Sequence, residues 1–178
     1  MTAAHDRLDD RYLSMVKEAR RLPIDNSAND QFALKALTLR QPWAASVFIA
    51  GKDFENRFWP ARVRGTIAIH VSKDQPKTTF DGGVRFVHAL LRKQGKTNIR
   101  FDSLDKLPRG AIIGVVDLVD CVSQSDSPWF EGPLGFKLSN PRLLQKPIPT
   151  SGKRRFWKVS KGVETRIRRD LGEQGLTI

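Results

Sequence analysis

Residues 37–73 read LTLRQPWAASVFIAGKDFENRFWPARVRGTIAIHVSK. Ala36 to Arg40 is a brief apolar run with strand character. Pro42 then suits the first turn of a short helix, and Gly51 suits its stop. Phe54 to Arg57 is predicted extended, so a period of two places Glu55 and Arg57 on one face. Arg64-Gly65 turns the chain into Thr66–Val71, where Ile67, Ile69 and Val71 alternate with Ala68 and His70. On that alternation His70 and Ser72 lie opposite the apolar face.

Outward from this stretch the elements stay short and alternate in type. Phe80, Val84, Val87 and Leu91 recur at helical spacing, ending near Gly95. Ala111–Val122 is apolar on both faces apart from Asp117 and Asp120, the pattern of a strand covered on both sides. Leu134–Leu138 and Arg155–Val159 are further strands, and Val163, Ile167 and Leu171 mark a terminal helix. Upstream, Leu8, Tyr12, Met15 and Ala19 give an amphipathic helix over roughly 6–21. A polar linker follows, from Asp25 to Asp30. The fold class expected is α+β: a small, partly open β-barrel with surrounding helices and an N-terminal helical extension. The expected division is 1–33 for that extension, 34–160 for the body and 161–178 for a basic helix.

The chain has 178 residues, enough for one well-buried domain and short extensions. Lysine and arginine number 31 against 19 acids, a net charge of +12. Such an excess points to a polyanionic partner, RNA or DNA. It is unevenly placed. Residues 1–34 hold five cations and six acids, so the rest of the chain carries all of it. Residues 151–178 alone have eight cations against three carboxylates. A single cysteine, Cys121, excludes a disulfide framework. Three dispersed histidines give no metal-ligand spacing, so no metal or cofactor is expected, although a carboxylate-bound magnesium would be compatible with a nuclease. The apolar run Trp43–Ala50 is too short to span a bilayer, and the N-terminus does not read as a secretory signal. A cytoplasmic location and no membrane partner are therefore expected; the oligomeric state is open.

Candidate nucleic-acid contacts follow from residue type. Arg40, Gln41, Lys52, Arg57, Arg62, Arg64, Ser72, Lys73, Arg155 and Lys158 supply hydrogen-bond donors or positive charge for phosphates and bases. Trp59, in a turn with Phe58, is the candidate for stacking a base. Each has a structural counterpart: Arg57 can serve as the ion-pair partner of Glu55, and Trp43 reads more readily as a core anchor. The loop with Trp129 and Phe130 could fold over a cleft or plug one end of the barrel, the plug being favoured. If the chain is an enzyme, Lys52, Glu55 and His70 are the catalytic candidates. Lysine would stabilise developing phosphate charge, and the carboxylate or imidazole would move protons.

Several blocks also carry a resemblance. They are Arg40-Gln41-Pro42-Trp43-Ala44, Gly51-Lys52-x-x-Glu55-x-Arg57-x-Trp59, Arg64-Gly65 and Ile69-His70-x-Ser72-Lys73. They continue through Leu107-Pro108-Arg109-Gly110-Ala111-Ile112, Asp120-Cys121, Gly135-Phe136, Pro147-Ile148 and Phe156-Trp157-Lys158-Val159. In this order, over about residues 34–160, the chain resembles the ASCH domain family of the PUA-like superfamily. The resemblance implies a cleft lined by Lys52 and Glu55 and a nucleic-acid partner, RNA before DNA. It also implies two enzymatic alternatives, a ribonuclease and an amidohydrolase acting on a modified nucleoside. In the amidohydrolase type a threonine nucleophile stands where this chain has Glu55, which counts against that alternative. A protein-interaction module built on the N-terminal extension and the final helix is a further reading.

Overall fold

The computed structural model describes residues 33–178. The helix expected over 6–21 and its linker lie outside the described residues. Nine elements follow in chain order: β1 (Lys35–Leu39), α1 (Trp43–Ile49), β2 (Phe54–Arg57), β3 (Gly65–Val71), α2 (Lys77–Lys93), β4 (Ala111–Val122), β5 (Leu134–Pro149), β6 (Phe156–Lys158) and α3 (Lys161–Glu173). The strands pair in the order β2-β5-β4-β3-β1-β6. This mixed sheet with three helices among the described residues is the α+β, PUA-like arrangement that the sequence implied.

The chain forms two compact units. The described part of the first comprises Asp53–Gly65 and Asp117–Ser139. The second comprises Ala33–Lys52, Thr66–Val116 and Asn140–Ile178.

The second unit holds a core of Leu34, Ala36, Ala68, Ile112, Val115, Leu144, Ile148, Trp157 and Val159, joined by Ile167 and Leu171 of α3. β1 runs parallel to β3, with Thr38 opposite His70 and Leu39 opposite Val71. β6 is antiparallel to β1 and sets Trp157 opposite Ala36. Ser160 caps α3 by accepting the Val163 N–H, and its apolar positions at i and i+4 turn inward. Asp170 fixes the other end, accepting the Gln145 N–H at 3.0 Å.

In the first unit β2 is antiparallel to β5, with Glu55 opposite Phe136 and Arg57 opposite Leu134. Gly135 is needed for packing, since a Cβ there would strike the rings of Phe130 and Phe54. Asn56 clamps the 127–131 loop. Its amide donates to the Trp129 carbonyl at 2.9 Å, and its side-chain oxygen accepts the Glu131 N–H at 3.0 Å.

Two expectations need correction. β5 runs to Pro149, eleven residues beyond the expected Leu138, continuing through Pro141 and Pro147. Asn140 takes φ 49° just before Pro141, so the irregularity is absorbed within the strand. Second, β3 is covered on both faces. His70 is only 2% exposed and shares its face with the buried Ala68, so the side opposite Ile67 and Ile69 is not solvent-facing.

Candidate functional site

Four chain segments converge in the second unit. Because β1 and β3 are parallel, both leave the sheet in the same direction. Their exits, Arg40 and Ser72-Lys73, are joined by the Ser72 N–H donating to the Leu39 carbonyl at 2.8 Å. The start of β4 meets them there, as the Gly110 N–H donates to the Val71 carbonyl at 2.8 Å. Gly110 makes that turn at φ 62°, a backbone region that favours glycine. Finally β5 delivers the segment 150–155, whose Thr150 N–H donates to the Gly110 carbonyl at 3.1 Å.

Between these ends lies a cavity of about 1000 Å³. Among the described residues, Arg40, Lys73, Arg109, Lys153 and Arg154 line it against a single carboxylate, Asp74. All five cations are exposed. Ser72, Thr150 and Ser151 add hydroxyl groups to its wall.

The floor is His70. Its Nε2 lies 3.1 Å from the Thr150 carbonyl, which can only accept, so Nε2 carries the hydrogen. Nδ1 is then a bare acceptor, buried and with no hydrogen-bond partner. Burial pulls the imidazole pKa below its usual value, against a smaller upward pull from the Thr150 bond. The ring packs edge-on against Trp157 at 5.6 Å. Trp157 Nε1 donates to Thr38 Oγ1 at 3.1 Å, and that hydroxyl donates to the Lys153 carbonyl at 3.0 Å. Gly152 sits directly over the ring, where a Cβ would collide with Cε1 and Nδ1 of His70. The 150–155 strap is thus pinned from beneath, and its cations are presented on a fixed backbone.

Of the sequence candidates, the structure brings Arg40, His70, Ser72 and Lys73 into this cavity. Gln41 lies beside it but is buried, its amide occupied by the Pro108 carbonyl at 3.2 Å and the Ala45 N–H at 3.1 Å. Lys52 is buried at 4% exposure in the second unit, and Glu55, at 8%, belongs to the first. Glu55 pairs with Arg57 at 3.0 Å on the shared face of β2. Arg64 is drawn inward to Asp120 at 3.1 Å and to the carbonyls of Ala61 and Val63. Trp59 packs edge-on against Phe136, with centroids 5.0 Å apart. Trp43 likewise meets Phe86 edge-on at 5.6 Å. Trp129 is buried. Arg62, Arg155 and Lys158 are exposed and do not line the cavity.

Arg109 and Gly152 escaped sequence reasoning. Arg109 stands one residue before the turn that opens β4, where the converging strand ends place it on the cavity wall. The signal for Gly152 was a glycine beside three successive cations, Lys153 to Arg155, in a loop between strands.

Comparison with known proteins agrees with the fold. The model of the ASCH domain matches residues 37–145, more than half of the chain. The chain belongs to the ASCH domain family. Among its relatives is activating signal cointegrator 1 of Homo sapiens, 27% identical over 150 residues, covering 80% of this chain and 25% of that protein. The protein of the same name from Mus musculus is 26% identical over the same shares. This ASCH domain chain therefore spans about a quarter of the curated relatives it matches.

Proposed function

We propose that this ASCH domain binds nucleic acid, RNA in preference to DNA, with phosphates held in the basic cavity above His70. The observation that carries the reading is the convergence of Arg40, Lys73, Arg109, Lys153 and Arg154 on one cavity, opposed among the described residues only by Asp74. Five cations at fixed strand ends supply charge for backbone phosphates without the cost of ordering a loop. The hydroxyls of Ser72 and Ser151 offer partners for a 2′-hydroxyl, which supports RNA over DNA.

The test is affinity for single-stranded RNA and DNA of one sequence across a range of salt. Log K should fall linearly with log salt, by about 0.7 per phosphate neutralised on a single strand, with RNA held more tightly. Affinity that is flat with salt would remove the electrostatic reading. RNA integrity on the same samples, for wild type and Lys52→Ala, separates holding from cutting.

A further inference from the structure

The turn between β2 and β3 bears an aromatic side chain that the fold does not use. Phe58 is 75% exposed, the most exposed large hydrophobic side chain among the described residues. Its neighbour Trp59, which the sequence favoured for stacking, is committed to Phe136.

An isolated exposed phenylalanine is ordinary on a protein surface. This one is carried on an anchored turn. Ala61 is fully buried, and its N–H points at Cys121 Sγ at 3.5 Å. The Arg64 guanidinium caps the carbonyls of Ala61 and Val63, each at 2.9 Å. Its other nitrogen reaches Asp120, which in turn accepts the Cys121 N–H at 2.8 Å. The ring therefore stands in water on a backbone that is tied down at Trp59, Ala61 and Arg64. It forgoes burial without gaining freedom of the chain. The surrounding turn, 57–64, contains three arginines and no carboxylate.

We infer that Phe58 is a stacking platform for an unpaired nucleobase, with Arg62 meeting the adjoining phosphate. A rigid aromatic face flanked by positive charge suits a base on its sugar-phosphate chain, since every base presents a π-face and every nucleotide a charge. The inference rests on the nucleic-acid reading above and adds to it a preference for single strands, because paired bases present no free face.

The experiment compares Phe58→Ala, Phe58→Leu and Phe58→Trp with wild type. The probes are a short oligoadenylate carrying 2-aminopurine and an RNA duplex of equal length. Phe58→Ala should weaken single-strand binding about tenfold and reduce the quenching of 2-aminopurine. Duplex affinity and the salt slope should be unchanged. Phe58→Trp should keep the affinity and quenching, and Phe58→Leu should not. Single-strand affinity unaltered in Phe58→Ala, or fully retained in Phe58→Leu, overturns the inference; the latter would mark the ring as a general apolar contact. Wild-type protein that binds neither probe overturns the broader reading instead.

Discussion

The cavity in the second unit and the aromatic turn in the first solve opposite problems. Around the cavity, the charged groups are exposed while the group beneath them, His70, is buried, with only 2% exposed. In the turn the charged Arg64 is drawn inward, and the apolar Phe58 is left in water. Both depend on backbone being held from below: by Gly152 seated on His70 in one, and by Arg64 capping two carbonyls in the other. The contrast shows that sidedness in this chain is set by what anchors each loop. Residue type alone would have placed Arg64 outside and Phe58 inside.

The contrast breaks most visibly if the cavity is neutralised. Arg40, Lys73, Arg109 and Lys153 changed together to alanine should lower affinity by more than a hundredfold at low salt. The slope of log K against log salt should flatten by about 0.7 for each single-strand phosphate that is no longer neutralised. Titration at three salt concentrations measures both. The same slope in the variant would move the phosphate-binding groups elsewhere. The folded state should be little changed, since all four side chains are exposed.

Gly152→Ala should act through geometry. Its new methyl group meets the His70 ring, so the strap must lift or the ring must turn, at about 1–3 kcal/mol of stability. Affinity should fall with the charge count unaltered, because Lys153 and Arg154 lose their fixed position. Thermal unfolding alongside binding tests the two effects together.

For the turn, Arg64→Ala removes three hydrogen bonds at a half-buried position and should destabilise by about 1–2 kcal/mol. Single-strand affinity should drop while the salt slope stays near the wild-type value. That pattern would mirror the loss expected from emptying the cavity, and so sharpen the division between the two regions.

The smallest effect concerns pH. Burial lowers the folded-state pKa of His70 below its usual value near 6.5, so the unfolded chain binds the proton more readily. This contribution to stability is complete above about pH 6.5 and is lost as pH falls through the window below it. In His70→Gln, whose amide can still donate to Thr150, the decline in melting temperature below pH 6.5 should be shallower than in wild type. Identical curves would show that the imidazole does not titrate on unfolding.

Much of this was legible before the structure. The alternation of Ile67, Ile69 and Val71 marked β3, and the spacing of Phe80, Val87 and Leu91 marked α2, because local periodicity reports directly on which face is buried. Arg40, Ser72 and Lys73 were legible as candidates by chemistry and position, and the structure places all three on the cavity wall. The pinned strap was not, since the packing of Gly152 on His70 joins positions 82 apart in the sequence. Nor was the outward setting of Phe58, because Phe and Trp in adjacent positions carry the same local signal. Only the packing of Trp59 on Phe136 separates them.

Helix α3 has one face with no latitude and one with a great deal. Ile167 and Leu171 close the same core as Leu34 and Trp157, so a chain cut short after Lys158 would leave that core open to water. Arg166 and Arg169 stand on the outer face, exposed. Over generations that outer face can gain or shed cations one codon at a time, with the core undisturbed. In the proposed reading, the strength of the grip on a polyanion is thereby separable from the integrity of the fold, and selection can adjust the first without risking the second.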